Sequence, residues 1–212
     1  MLPITLDGLH DDGVCVYIDE AGRGCFAGPV CAAAVVWPRD YTPDNEAEKT
    51  LLEMIKDSKK VSEKNRPILA EFIKKHATAY AIGCVDAKEI DEINILRATY
   101  KAMHIAITEL NLPEINHIFV DGNRFAPYIG QDLEYVPHTC IVEGDNKLLQ
   151  IAAASILAKT HRDTYMTVLG NSTPELGVYK WAKNKAYGTK EHRDAIKTHG
   201  ISEYHRKTFI HF

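Results

Sequence analysis

The alternation of apolar and polar positions reads as short buried strands interleaved with amphipathic helices. Val14–Ile18 is a brief β-branched and aromatic run, and Val30–Trp37 is a second, closed by Pro38; runs of this length and make-up suit buried strands. The glycine-rich bend between them predicts a hairpin. Asn45 with Glu48 three positions on marks a helix start carrying Leu51, Leu52 and Ile55 inward. Ser62 is expected to cap the next helix, where Ile68, Leu69, Phe72 and Ile73 recur at helical spacing. Tyr80–Val85 reads as a third strand. Asp86 then caps a helical stretch along which Ile90, Ile93, Arg97, Tyr100, Met103, Ile107 and Leu110 step by three or four, as far as Leu112-Pro113. Asn94, polar among apolar neighbours, reads as a structural amide.

His117–Val120 and Tyr135–Val142 are the expected fourth and fifth strands. Leu148 to Leu169 follows as a helix stopped by Gly170, and Ala152, Ala153, Ala154, Ser155 and Ala158 give it a small-residue face for close packing. Beyond Asn171 the pattern predicts short helices, one running from Thr189 to Gly200. The sum is an α/β chain: a mixed five-stranded sheet flanked by helices, with a C-terminal helical region. The expected division is residues 1–170 for the sheet-bearing domain and 171–212 for the helical region packed on it.

Composition narrows this picture modestly. The chain has 212 residues, 45% apolar and 25% charged, enough for one substantial core and far from a disordered composition. Charge is uneven. The net value is -4, yet Gly177–Phe212 carries eight Lys/Arg against three acids; a basic end on an acidic body suggests a polyanionic partner. The five cysteines lack a Cys-x-x-Cys pair and sit among apolar neighbours, so they read as reduced core residues. No secretory signal and no membrane-length apolar run is seen, which points to the cytosol.

The candidate chemistry lies where strands end. The first strand runs into Asp19-Glu20-Ala21-Gly22-Arg23-Gly24, the fourth into Asp121-Gly122, the fifth into Gly144-Asp145. Ligands bind at strand ends in open α/β sheets. Successive residues of a strand face opposite ways, so Asp19 and Glu20 address one centre if the chain bends at about Glu20. Clustered carboxylates must take protons or cations, and an all-oxygen donor set without His or Cys suits Mg²⁺ or Mn²⁺ rather than zinc. Two such ions serve phosphodiester cleavage. A glycosidase also uses two carboxylates, but the Gly-Arg-Gly bend, the lysines and the basic tail fit a phosphodiester better. Taken alone, Lys59 and Lys60 read as a solvated loop. Asp163 reads as an ion-pair partner of Lys159 one helical turn away, and no histidine has metal-ligand spacing.

The ordered set Asp19-Glu20-Ala-Gly22-Arg23-Gly24, Asp57-Ser58-Lys59-Lys60-Val-Ser62, Asn94-Ile95, Val120-Asp121-Gly122, Gly144-Asp145, Ala152 to Asp163, Tyr187-Gly188-Thr189 and His205-Arg206 resembles the type 2 ribonuclease H family, ribonuclease HII. The resemblance implies a ribonuclease H-like fold and endonucleolytic cleavage of RNA in RNA–DNA hybrids. It implies incision 5′ of ribonucleotides embedded in duplex DNA, leaving 3′-hydroxyl and 5′-phosphate ends. Asp19, Glu20, Asp121 and Asp145 would be the metal-binding catalytic acids. Gly22, Arg23 and Gly24 would read the ribose 2′-hydroxyl and adjacent phosphate, Tyr187 would stack on the sugar at the RNA–DNA junction, and Ser58, Lys59 and Lys60 would contact the backbone, against their solvated reading.

Departures from the family pattern are Val61 for Leu, Asn184 and Ala186 for His and Gly before Tyr187, and Glu143 for a frequent Lys. The sister type, ribonuclease HIII, carries an added N-terminal domain for which this chain has no room. Two other readings are a non-catalytic hybrid-binding subunit and a resolvase- or transposase-type nuclease; the full acid set opposes the first, the Gly-Arg-Gly bend with Tyr187 the second. A monomer is expected, since no exposed apolar stripe is evident. Docking on a replication clamp is not evident either, because Lys207–Phe212 lacks the glutamine of a clamp-binding peptide.

Overall fold

The structure is a computed structural model, and it describes residues 13–56 and 59–211. Five strands form one sheet in the order β3-β2-β1-β4-β5: β1 (Cys15–Ala21), β2 (Val30–Val36), β3 (Ala79–Val85), β4 (His117–Asp121) and β5 (His138–Ile141). β1–β2 and β2–β3 pair antiparallel, β1–β4 and β4–β5 parallel. The expected hairpin and mixed sheet are present.

The pleat sorts the residues. Val16, Ile18, Ala32, Ala34, Ile118 and Val120 face α4 (Ile95–Glu109) in one core layer. Ala21, Ala33 and Val35 face α5 (Leu149–Gly170) and α2 (Arg66–His76) in the other. The small residues of α5 are what let it lie against the sheet: Ala152, Ala153, Ala154 and Ala158 are wholly buried. A third cluster joins α5 to the C-terminal region through Ala27, Met166, Tyr179, Trp181, Ala186 and Ile196. That region comprises α6 (Pro174–Gly177), α7 (Trp181–Asn184) and α8 (Lys190–His199).

Several caps match the expectations. The Glu48 amide donates to Asn45 Oδ1 at 3.0 Å to open α1 (Glu46–Met54), and the Glu89 amide to Asp86 Oδ1 at 2.8 Å to open α3 (Ala87–Ile93). α8 is bounded by Thr189 and Gly200. The long helix expected after Asp86 is instead two. Asn94 (φ 68°) breaks it, and its Oδ1 accepts from the Leu96 and Arg97 amides as the cap of α4. Helical periodicity persists across such a break because both halves bury the same face.

Ser62 does not open α2, which begins four residues later at Arg66, after Asn65; it caps the preceding turn by accepting the Asn65 amide. Ile68 is 51% exposed, not inward. The fifth strand is four residues, shorter than expected, and Ile129, Leu133 and Tyr135 project from the loop before it, an exposed apolar group where none was expected. Cys31 and Cys84, facing one another across β2–β3, form a disulfide, against the reading of five reduced cysteines; cross-strand register supplies a proximity that sequence spacing hides. Cys15, Cys25 and Cys140 are free. No described helix is long and apolar enough to cross a membrane.

Candidate active site

β1 stays extended through both acids. Glu20 pairs with Ala32 and Ala21 with Cys31, so the bend lies beyond Ala21, at Gly22 (φ +94°), and not at Glu20. Asp19 therefore points toward α5 and Glu20 takes the opposite pleat. Asp121 ends β4 on the same face as Asp19, since Asp19 and Asp121 both lie two residues beyond the stacked rings of Tyr17 and Phe119. Asp121 Oδ1 accepts the Gly144 amide at 2.7 Å, which fastens the Gly144–Asn146 turn, and with it Asp145, to the end of β4. A Cβ at Gly144 would fall 2.7 Å from Ile151 Cδ1, so any larger residue would have to displace that side chain.

Asp19 is the electrostatic centre. It is 5% exposed, and burial, Glu20 and then Asp121 hold its carboxyl well above the usual carboxylate range. Ser155 of α5 and the Glu20 amide (2.7 Å) donate to it and oppose the shift. Glu20 is also raised by burial, against the pull of Arg23, whose Nη1 stands 3.3 Å from its Oε1. The charge density is high. All donors here are carboxylate oxygens, and a buried carboxyl raised by its own neighbours gains most from a divalent cation, so the residues fit a hard metal ion. The four acids are not drawn into a tight cage. Among the described residues the group of three ligand atoms within 4.8 Å of one another is Cys31, Cys84 and His161, two of which the disulfide occupies.

The glycine bend is built from the far end of the chain. Cys25 bridges Tyr187 and Ala27 bridges His205; the Phe26 amide donates to the Ala186 carbonyl at 2.9 Å and the Arg206 amide to the Phe26 carbonyl at 2.8 Å. Two buried guanidiniums close the loop from behind. Arg162 donates to the carbonyls of Pro29, Lys185 and Ala27, and Arg206 to those of Gly28 and Arg23. Burial and the proximity of Arg162 push Arg206 down to about 10. A Cβ at Gly22 would fall 2.0 Å from Arg162 Nε, so this glycine is required by packing and by its φ. Gly24 differs: a Cβ there would meet nothing within 4 Å. The fold does not need that glycine for packing, and the residue is exposed.

Tyr187 is 40% exposed beside this bend, with Lys159 Nζ 5.0 Å above its ring. Lys159 also pairs with Asp163 at 2.8 Å, as the helical spacing predicts, and Arg66 joins that pair at 2.9 Å. Lys59 acts electrostatically on Glu20, and Lys60 hydrogen-bonds Asn146 beside Asp145. Both lysines thus border the acids. Ser58 lies outside the described residues. Asn184 turns inward, its amide donating to the Tyr179 carbonyl at 2.8 Å and its oxygen accepting the Ala186 amide at 2.9 Å. Sequence reasoning did not assign a role to Ser155; the available signal was a lone hydroxyl within an alanine face. Arg162 was visible only as part of a motif, because nothing local marks a buried arginine whose partners are 23 to 135 residues away.

Comparison with known proteins agrees with this architecture. A family model described as Ribonuclease HII matches residues 16–212. A ribonuclease HII of Parabacteroides distasonis is 52% identical over 192 residues, covering 90% of this chain and 87% of that protein. One from Bacteroides thetaiotaomicron is 49% identical over 206 residues, 97% of this chain and 94% of that protein. Among solved structures, a chain of the PCNA:RNase HII complex of Archaeoglobus fulgidus superposes with a TM-score of 0.70 at 24% identity, covering 94% of this chain and 96% of that one. The ribonuclease H2 of Pyrococcus horikoshii OT3 gives 0.68 at 23%, covering 92% and 93%; at these identities the likeness is one of fold. With a fold shared by those structures and a family match running nearly from end to end, the chain belongs to the ribonuclease HII family and is a ribonuclease H hydrolase.

Proposed function

We propose that this ribonuclease H is a metal-dependent endonuclease that cleaves the RNA strand of RNA–DNA hybrids and incises 5′ of single ribonucleotides in duplex DNA, leaving 3′-hydroxyl and 5′-phosphate ends. The observation that carries the reading is the lacing of Cys25 to Tyr187, which sets an exposed aromatic ring beside the exposed Gly24 of the bend that follows the acids of β1. A 2′-hydroxyl distinguishes RNA from DNA at one position, and backbone groups freed of side chains can approach it. An aromatic face stacks without reading the base. Discrimination then rests on the sugar.

Asp19, Glu20, Asp121 and Asp145 would hold Mg²⁺ or Mn²⁺. When bound, such ions activate water and stabilise the leaving oxygen. The chain's own contributions are positional. Gly144 orients Asp121 through its amide, Ser155 orients Asp19 from α5, and Arg23 is drawn toward the acids by Glu20. Lys59 and Lys60, with Ser58, would steer the phosphate backbone toward the same edge. Residues 1–170 would form the catalytic domain and 171–212 the substrate-contacting region, acting as a cytoplasmic monomer.

The decisive experiment uses end-labelled duplex DNA containing one ribonucleotide beside the all-DNA duplex, with and without Mg²⁺ or Mn²⁺. A single metal-dependent cut 5′ of the ribonucleotide, with the control intact, is expected. Binding without cutting under either metal would replace this reading with that of a binding subunit.

A further inference from the structure

Two histidines that the chemistry above does not use lie behind Tyr187. His192, in the first turn of α8, and His205 are 0% and 1% exposed. Their partners determine their tautomers. A carbonyl can only accept, so His192 Nδ1, 3.0 Å from the Tyr187 oxygen, carries a proton. An amide can only donate, so His205 Nδ1, 2.9 Å from the Ser202 nitrogen, carries none. The remaining proton of His205 is then on Nε2, 3.1 Å from His192 Nε2, which also accepts from Trp181 Nε1 at 3.0 Å. Both rings are neutral, and the chain of hydrogen bonds has one direction. It ends on the Tyr187 carbonyl.

We propose that His192, oriented by His205 and Trp181, is a positioning residue for Tyr187, fixing the peptide that carries the ring to the glycine bend and releasing it when the pair is protonated. This rests on the reading of Tyr187 as a substrate contact. The Tyr187 backbone is otherwise held by the Thr189 amide at its carbonyl (2.8 Å) and by the Asn184 carbonyl at its nitrogen (2.9 Å), and His192 adds a side-chain hydrogen bond there. A proton added at His192 Nε2 would turn an acceptor toward two donors, Trp181 N–H and His205 N–H, and the pair would separate.

The surroundings offer a proton no compensation. The rings packed on the pair are Phe26, Tyr179 and Trp181, and the hydroxyl of Tyr179 is committed to the Gly200 carbonyl at 3.0 Å. Arg206 adjoins His205 in the chain and Arg193 lies over Phe26, while Glu191, which adjoins His192, is exposed and faces Lys183 at 3.3 Å. Glu203 and Lys207, flanking in sequence, are exposed. Accordingly burial, then His192, pushes His205 down to about 4, and burial lowers His192 despite its bond to Tyr187.

The test compares His192→Asn, His192→Gln and Tyr187→Ala with the parent on duplex DNA containing one ribonucleotide, measuring KM and kcat from pH 4 to 8 with the melting temperature of each variant. Asn places an amide N–H where His192 Nδ1 stands; Gln reaches only the Nε2 position. At pH 8, Gln should raise KM by about tenfold with kcat little changed, the worth of one hydrogen bond, while Asn stays near the parent. The parent's KM should hold from pH 8 to about 5 and climb as pH falls toward about 4, and Asn should flatten that climb. Equal KM in Gln and Asn, or a parent KM independent of pH, overturns the positioning role. If Tyr187→Ala itself leaves KM unchanged, the substrate-contact reading fails and takes this proposal with it.

Discussion

The two sides of the Gly22–Pro29 loop are opposites. On the sheet side, Asp19, Glu20 and Asp121 sit close enough to raise the Asp19 carboxyl, with a serine and two backbone amides as the hydrogen-bond donors named at Asp19 and Asp121. On the helical side, Arg162 and Arg206 are wholly buried without a carboxylate ion pair among the described residues, and carbonyl oxygens take five of their N–H groups. One side is charge left open to a ligand; the other is charge turned onto backbone carbonyls, with Arg206 Nη2 buried without a hydrogen-bond partner. The first costs stability in the absence of a ligand, whereas the second holds the loop beside it in place.

The sharpest break of this contrast is Asp121→Asn. Its amide oxygen can still accept the Gly144 N–H, so the turn should survive while a metal ligand is lost; cleavage should fall by about a thousandfold or more, several kcal/mol of transition-state stabilisation. In metal-free buffer the same variant should melt higher than the parent, by about 2 °C or more, because the repulsion on Asp19 is relieved. A variant that kept full activity would remove Asp121 from the site.

Arg162→Met probes the arginine side. It strands the carbonyls of Ala27 and Pro29 in a buried place, and unfolding by urea should show a loss of about 3 kcal/mol. A loss below about 1 kcal/mol would mean that water or a shifted side chain satisfies them. Gly24→Ala separates the sides without disturbing either. A methyl there touches nothing in the fold, so the melting temperature should hold within about 2 °C, yet KM for an embedded ribonucleotide should rise by about tenfold if the amide meets the ribose. Unchanged KM would place the substrate elsewhere.

The smallest effect expected is at Ala186, which is buried with φ 64°, a left-handed conformation that glycine adopts at less cost. Ala186→Gly should stabilise the chain by about 0.5–1 kcal/mol if the lost methyl contacts do not offset it. Thermal denaturation of the pair of proteins would decide this. A destabilised glycine variant would show that the methyl packing in the third core cluster outweighs the backbone strain.

Much of this was legible in the chain because it is local. Strand against helix follows from periodicity, and the caps at Asn45, Asp86 and Thr189 follow from side chains that reach their own helix's first amides. The acids at strand ends, with their glycines, could be read as a site without knowing how the strands pair. What the sequence did not disclose is set by partners far apart along the chain: the bend at Gly22 rather than Glu20, the facing of Cys31 and Cys84, the two arginines closing the loop, and the histidine pair beneath Tyr187. A period of two or of 3.6 records which face is buried, not what lies against it. The residue types carried the chemistry; only the tertiary structure decided which charges would be left open and which the backbone would quench, because hydrogen bonding to carbonyls depends on where distant segments meet.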